Sequence, residues 1–196
     1  MSRSLLILCF AVLSGAVVAG VLHARRATSS GGWAVSYSAD FSQEDALDPT
    51  KNCTGRIYVN CLHEPRGVRR ESICGDRKRT EIFRQGGTTL VLDPDAKVYW
   101  RPEMRSRLEI GMEAPRINPV QETVNGRQVV RFKKQIKQAD GSEVQSEVWE
   151  DPMLHSPIRV VTAHSKYELS NVREGVQAES LFRIPEGYRA IAAPKK

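Results

Sequence analysis

The 196-residue sequence lacks the short motifs by which common catalytic centres are recognised. It has no G-x-S-x-G sequence for a nucleophilic serine, no H-E-x-x-H sequence for a catalytic zinc, no glycine-rich phosphate loop and no Cys-x-x-Cys pair. His155 and His164 are separated by nine residues of predicted extended chain, which does not place them at one site. We therefore predict a protein that is not an enzyme and that needs no cofactor and no metal.

Helix signals are also scarce, and the sequence has no internal repeat and no low-complexity region. Residues Ser42 to Leu47 have room for one helical turn, and Pro102 to Gly111 for two or three. Hydrophobic residues make up 40% of the chain and charged residues 27%, which is the composition of an ordinary globular domain. This balance excludes a disordered chain.

An export signal is predicted at the N-terminus. Residues 5–22 form an uninterrupted run of apolar and small residues, with Val17 and Ala19 as a small-residue cleavage pattern. We expect residues 1–24 to be a signal peptide or, as the alternative, an anchor that associates with the inner membrane through residues 5–22. Residues 25–32 then form a linker, and both alternatives place the remaining chain in the periplasm or cell envelope.

The formal net charge of +6 favours anionic partners. Outside the cytoplasm this predicts anionic lipid or cell-wall polymer rather than nucleic acid. The densest basic cluster has seven members: Arg66, Arg69, Arg70, Arg77, Lys78, Arg79 and Arg84. Two interpretations are open, namely a solvated sheet face with cross-strand ion pairs, and a surface that binds an anionic group.

Strand signals occur along most of the remaining chain. Alternating apolar and polar residues, separated by Gly, Pro and Asp turns, predict about ten strands at turn spacings of about 8 to 14 residues. The predicted strands are 33–40, 55–62, 68–73, 79–84, 88–92, 97–101, 128–137, 143–149, 158–163, 167–172 and 179–184. The pattern indicates one antiparallel sheet, curved or closed.

Three cysteines lie close together in the sequence, at Cys53, Cys61 and Cys74. Extended chain between the first two would separate them by up to about 26 Å, whereas a disulfide needs Cα atoms within about 7 Å. A hairpin that turns near Glu64 brings Cys53 opposite Cys74, so we predict a disulfide between them and a buried Cys61 thiol. Another pairing, no disulfide, or a metal site that includes His63 are the alternatives.

Several short sequence stretches resemble those of exported proteins of the LolA-like superfamily, the periplasmic lipoprotein carriers. The resemblance covers roughly residues 33–190 and rests on order and spacing rather than on one motif. The stretches are Trp33–Ala39, Gly55–Val59, Arg69–Glu71, Leu92–Tyr99, Glu122–Arg127, Trp149–Pro152 and Leu181–Tyr188. It implies a mainly β domain over residues 33–190, built as one curved antiparallel half-barrel with one or two short helices and followed by a basic tail, 191–196.

The resemblance further implies a hydrophobic-ligand carrier or sensor in the cell envelope, whose ligand is a lipid or the acyl chain of a protein. Candidate ligand-binding residues on the inner face are Ile57, Val59, Val91, Tyr99, Val130, Phe132, Val160 and Phe182. The alternative is a non-catalytic structural or protein-interaction domain whose sheet is filled by its own side chains and presents a basic surface to an envelope protein partner.

Overall fold

A computed structural model of the chain describes residues 35–61, 66–84, 88–102, 115–137 and 143–194. In these residues one sheet of twelve strands forms, and it does not close into a barrel. The first six strands are β1 (Tyr37–Asp45), β2 (Cys53–Asn60), β3 (Gly67–Cys74), β4 (Arg77–Arg84), β5 (Thr89–Asp93) and β6 (Val98–Trp100). The other six are β7 (Ile117–Val124), β8 (Arg127–Lys137), β9 (Glu143–Asp151), β10 (Ser156–Val161), β11 (Ser165–Glu174) and β12 (Arg189–Ala190).

The sheet consists of two antiparallel meanders that meet at β1. Strands β1 to β6 pair consecutively, and so do β7 to β11. Strand β1 pairs with β2 on one side and with β11 on the other, which joins the two meanders in one sheet. The two-residue β12 adds to β6 in parallel. Strand β7 is therefore one edge of the sheet, and β12 is the other.

Local turn chemistry explains the sharp reversals between strands. Asn125 and Gly126 connect β7 to β8 with φ angles of 51° and 76°. A two-residue hairpin turn with both central φ angles positive favours this Asn-Gly pair, because asparagine tolerates the left-handed region and glycine has no Cβ to clash. His155 ends the turn before β10 with φ of 48°, so its position is explained by the turn.

The sheet bends sharply within the second meander. The Nη2 of Arg127 on β8 donates to Oε1 of Glu174 on β11 at 2.6 Å, although two strands lie between them. In a flat sheet three interstrand steps would separate their backbones by about 14 Å. The Oη of Tyr37 on β1 likewise donates to Oγ of Ser156 on β10 at 3.2 Å, so the β7–β10 end curls toward β1.

Two sequence expectations about secondary structure are wrong. The helical turn expected at Ser42–Leu47 is instead the end of β1, because β1 has a partner strand on both sides and its backbone groups join those ladders. The strand expected at residues 179–184 is instead a 3₁₀ helix at Glu179–Phe182. A second 3₁₀ helix, at Pro49–Lys51, follows β1. No helix of seven or more residues occurs in the described ranges.

Other expectations fall outside what the structure describes. Residues 1–34, which contain the expected signal or anchor and the whole linker, lie outside the described residues, as do residues 103–111 of the expected second helix. Within the described ranges no helix has the length and apolar character needed to cross a membrane. The sequence pattern also missed β7, whose Asn118 and Pro119 interrupt the alternation.

Candidate ligand-binding face

One face of the sheet carries its largest apolar cluster, and we call it the apolar face. On β1 it is marked by Tyr37, Ala39 and Phe41, all at most 3% exposed. Residues directly opposite one another on paired strands share a face. The register therefore adds a set on β2 to β5, namely Ile57, Val59, Val68, Arg70, Glu81, Phe83 and Val91.

The same face continues into the second meander as a cross-strand row. Starting from Gln43 on β1, the register leads to Tyr167 on β11, Val160 on β10, Val148 on β9 and Phe132 on β8. We call these last four residues the apolar row. Phe132, Val148 and Val160 are buried and form one cluster, and Tyr167 packs against it. The ring of Tyr167 also stacks on Phe41, with 6.1 Å between ring centroids, so the row is continuous with the first meander.

The structure places six of the eight predicted ligand-binding residues on this face. They are Ile57, Val59, Val91, Val130, Phe132 and Val160. Tyr99 lies on the opposite face, because it is paired with Leu92 and packs against Ile82 and Leu90. Phe182 lies in the 3₁₀ helix of the C-terminal segment and not on a strand. Strand alternation separates Tyr99 from the other six residues, and the position of Phe182 in the C-terminal segment separates it from them.

The C-terminal segment, residues 175–191, lies on the opposite face of the first meander. The Nη1 of Arg69 donates to the Leu181 carbonyl at 2.9 Å, and the Nη2 of Arg84 to the Phe182 carbonyl, also at 2.9 Å. Ile184 and Tyr188 of this segment pack against the cluster of Ile82, Leu90 and Leu92. The chain therefore covers the opposite face of β3 to β6 with its own C-terminal residues.

A polar group sits within the apolar face. Arg70 is 4% exposed and its guanidinium lies over the Phe41 ring, 4.4 Å from the centroid. Its Nη2 donates to Oε1 of Gln43 at 3.2 Å. Its Nη1 is 3.7 Å from Oε2 of Glu81, which is 3% exposed, while Oε1 of Glu81 is 2.9 Å from Nη2 of Arg79. Burial lowers the pKa of Arg70 and raises the pKa of Glu81, since both charged forms lose hydration.

Gly55 makes room for this arrangement. It lies opposite Phe41 on β1. A Cβ at this position would be 1.8 Å from the carbonyl oxygen of Glu71 and 2.9 Å from Cε1 of Phe41. Only a residue without a side chain allows β2 to approach β3 here while Phe41 covers the same spot.

The structure does not bring the seven predicted basic residues onto one surface. Register places Arg70, Arg77 and Arg79 on the face opposite to that of Arg69, Lys78 and Arg84. Most have partners within the protein: Arg69 and Arg84 hold the C-terminal segment, Arg70 and Arg79 face Glu81, and Lys78 lies 3.5 Å from Asp95. The basic residues that are clustered in the sequence therefore take part in several separate ion pairs and hydrogen bonds.

A cleft of about 550 Å³ opens where the β7–β8 turn approaches β10 and β11. Its apolar lining is Ile158, Leu169 and Val172, and its polar lining includes Arg127 and Asn171. Arg127 is engaged by Asp151 and Glu174. Sequence reasoning missed the cleft because only the bend of the sheet brings these distant segments together.

Ion pairs link neighbouring strands of the second meander. Arg159 on β10 donates to Oε1 of Glu168 on β11 at 2.6 Å, and its guanidinium lies 5.4 Å from the Trp149 ring centroid. Lys166 lies 2.9 Å from Oε2 of Glu168. Burial opposes ionisation of Glu168, but the hydrogen bonds from Arg159 and Lys166 outweigh it and hold its pKa below the ordinary value.

The predicted disulfide between Cys53 and Cys74 is present, with 4.2 Å between the two Cα atoms. Both residues are a directly opposed pair of the β2–β3 hairpin, as the sequence geometry required. Cys61 is a free, buried thiol, and burial raises its pKa to about 11. Within the described residues no three His, Cys, Asp or Glu side chains form a group able to hold a metal.

The fold is that of the LolA-like domains: an open, mostly antiparallel sheet with one large apolar face. Among solved structures, the chain is similar to MucB, with a TM-score of 0.51 and 14% identity over 78% of this chain and 58% of MucB. A second solved structure of MucB, described as MucB in complex with MucA(peri), is also similar. Its TM-score is 0.50, with 14% identity over 78% of this chain and 55% of that chain.

A putative outer membrane lipoprotein-sorting protein domain from Vibrio parahaemolyticus is also similar, with a TM-score of 0.34 and 14% identity over 78% of this chain and 91% of that domain. No protein-family model and no curated protein sequence matches the chain. The chain spans little more than half the length of the MucB chains it matches. At this identity the similarity establishes the fold.

Proposed function

We propose that this chain is a non-catalytic cell-envelope domain that binds an acyl chain, of a lipid or of an acylated protein, on the apolar face of its half-barrel sheet. The main support for this proposal is the apolar row, which crosses four neighbouring strands on one face of the sheet. Three interstrand spacings give it a length of about 14 Å. A linear hydrocarbon chain fits such a row, since each buried methylene contributes about 0.8 kcal/mol.

Two further features support a location in the cell envelope. The apolar N-terminal run at residues 5–22 is typical of an export signal. The Cys53–Cys74 disulfide fits an oxidising compartment, because cytosolic thiols are kept reduced. A carrier or sensor in the periplasm agrees with both features and with a fold shared with MucB.

The test is titration of the purified, delipidated protein with an uncharged acyl probe. We expect saturable binding by the wild type and at least a tenfold loss in Phe132→Asp, since about 1.4 kcal/mol corresponds to tenfold and a carboxylate in the apolar row must be desolvated. The matched control is Ile117→Asp, which introduces the same charge at a residue 42% exposed on the neighbouring β7.

Failure of the wild type to bind would refute the acyl-binding function. Equal binding by both aspartate variants would instead show that the ligand does not contact the apolar row. Far-UV circular dichroism and the unfolding midpoint of each variant separate lost binding from lost folding.

A protein-binding function is the second candidate, favoured by the edge strand β7. Ile117 and Val120 are 42% and 44% exposed on this strand, and an edge strand offers unpaired backbone groups to an extended peptide. The structure of MucB with MucA(peri) gives a relative that binds a protein. Photo-crosslinking from position 120 in the envelope, with position 78 as the control, should give a discrete product at 120 alone.

A further inference from the structure

Arg70 is a buried cation with too few hydrogen-bond acceptors around it. A guanidinium carries five N–H donors, and one of them, on Nη2, has a hydrogen bond, to the neutral amide of Gln43. Its Nε has no hydrogen-bond partner among the described residues. The Glu81 oxygen nearest to it, at 3.7 Å from Nη1, is too distant for a hydrogen bond.

The carboxylate of Glu81 is already bound by another arginine. Nη2 of Arg79 lies 2.9 Å from Oε1 of Glu81, which is a normal charge-assisted hydrogen bond. Arg70, Arg79 and Glu81 together carry a formal charge of +1. The excess positive charge rests on the buried Arg70, because the side chain of Arg79 is 41% exposed and is solvated. A buried charge without a hydrogen-bonded counter-ion is costly.

On the side of Arg70 that faces the apolar row, its surroundings are apolar. Phe41 lies under the guanidinium, Tyr167 stacks on Phe41, and Tyr167 begins the apolar row toward Phe132. A ligand that satisfies both regions has an anionic group at one end and a hydrocarbon chain at the other.

We propose that Arg70 binds the anionic group of an amphiphilic ligand, a carboxylate or a phosphate monoester, whose hydrocarbon chain lies along the apolar row. The two oxygens of such a group accept the free N–H donors of Arg70 in pairs, and Glu81 keeps Arg79 as its partner. This inference rests on the proposed acyl-binding function and adds the class of head group and the residue that selects it.

The experiment compares four probes by calorimetric titration of the delipidated protein, each below its aggregation concentration: laurate, dodecyl phosphate, dodecanol and inorganic phosphate. We expect the two anionic amphiphiles to bind wild type at least about tenfold more tightly than dodecanol, because hydrogen bonds between two charged groups are stronger than those to a neutral hydroxyl. Inorganic phosphate alone should bind far more weakly than dodecyl phosphate.

Variants test whether Arg70 causes the preference for anionic amphiphiles over dodecanol. Arg70→Gln should reduce the ratio of laurate affinity to dodecanol affinity to within about twofold, since the lost contacts are those to the anion. Arg77→Gln is the matched control, because it removes the same charge from β4 on the same face of the sheet and leaves the ion pair between Arg79 and Glu81 intact. It should retain most of the laurate-to-dodecanol affinity ratio. Arg70→Lys keeps the charge without the planar fork and should show an intermediate ratio.

The outcomes separate this inference from the function on which it rests. Equal affinity of wild type for laurate and dodecanol, or equal loss of the affinity ratio in Arg70→Gln and Arg77→Gln, overturns the head-group site but leaves acyl binding intact. Inorganic phosphate binding as tightly as dodecyl phosphate overturns it as well, because the occupant is then a free anion. Absence of binding by all three twelve-carbon probes refutes both proposals. If Arg70→Gln does not fold, the ratio measured for Arg70→Lys decides.

Discussion

The two meanders of the sheet are held together by different means. In β1 to β6 a disulfide joins β2 to β3, a glycine permits close strand approach, and the C-terminal segment covers the opposite face. In β7 to β11 none of the described residues forms a disulfide, and ion pairs such as Arg159 with Glu168 cross between neighbouring strands. The edge strand β7 is largely exposed.

We infer from this difference that the first meander is the more rigid part of the sheet and the second the more adaptable part. Covalent links and backbone close contacts resist deformation, whereas partly exposed ion pairs contribute little stability each. The apolar row and the cleft both lie in the second meander. We infer that the first meander holds Arg70 in a fixed position, while the second adjusts to the hydrocarbon chain of a ligand.

The largest expected effect is that of Gly55→Ala in the first meander. The new Cβ would overlap the Glu71 carbonyl oxygen, at 1.8 Å, and backbone cannot rotate away as a side chain can. We expect a loss of about 4 kcal/mol or failure to fold, measured by urea denaturation. The control in the second meander is Gly126→Asn, where no atom lies within 4 Å of the added Cβ. It should cost about 1 kcal/mol, and a larger cost there would contradict the division into rigid and adaptable parts.

Removal of the disulfide is expected to have the next largest effect. Cys53→Ser with Cys74→Ser opens a link between residues 21 apart in sequence, and the chain-entropy model gives a loss of about 3 kcal/mol. The free energy of unfolding should be measured in a Cys61→Ala background, which prevents thiol exchange. Reductant should lower the stability of the parent by the same amount and leave the double variant unchanged. Equal stability of parent and variant would remove the disulfide as a distinguishing feature of the first meander.

The sequence predicts the structure correctly where the local hydrophobic pattern agrees with the observed strand pairing. Ten of the observed strands follow from alternation and turn residues, and the opposed positions of Cys53 and Cys74 follow from a hairpin about Glu64. Six of eight ligand-binding candidates share the apolar face, because residues spaced by two along a strand point the same way. The ligand-binding role of these residues stays a prediction.

The incorrect predictions have a common physical cause, which is that contacts between segments distant in sequence determine the structure at these positions. The sequence allows a helical turn at Ser42–Leu47, where the end of β1 is polar, yet Gln43 lies on the apolar face, where it accepts a hydrogen bond from Arg70. The sequence predicts a strand at residues 179–184, but hydrogen bonds from Arg69 and Arg84 to the carbonyls of Leu181 and Phe182 hold this segment on the opposite face. The basic cluster divided because strand alternation sends neighbouring arginines to opposite faces. Extending the alternation of Tyr37, Ala39 and Phe41 by one step would have found Gln43.

The pH dependence of stability should have opposite signs in the two meanders, beginning with Glu81 in the first. Burial raises the folded-state pKa of Glu81 above its unfolded value. Its favourable contribution is therefore complete below the unfolded pKa and is lost as pH rises through the folded pKa. We expect the stability of wild type relative to Glu81→Gln to fall as pH rises from 4 to 8 in urea denaturation series. A difference that grows with pH would mean that Arg79 and Arg70 outweigh the burial of Glu81.

The smallest expected effect is the opposite pH dependence of Glu168 in the second meander. Hydrogen bonds from Arg159 and Lys166 outweigh burial and lower its folded-state pKa, so its contribution is present above the unfolded pKa and is lost as pH falls through the folded pKa. Glu168→Gln should cost at most about 1 kcal/mol at pH 7, and its stability should converge on that of wild type below pH 4. Added salt should also reduce the difference at pH 7, because the pair is partly exposed and is screened. A salt-independent difference that persists at pH 3 would show that Glu168 stabilises β11 through packing rather than through its charge, and the second meander would then resemble the first.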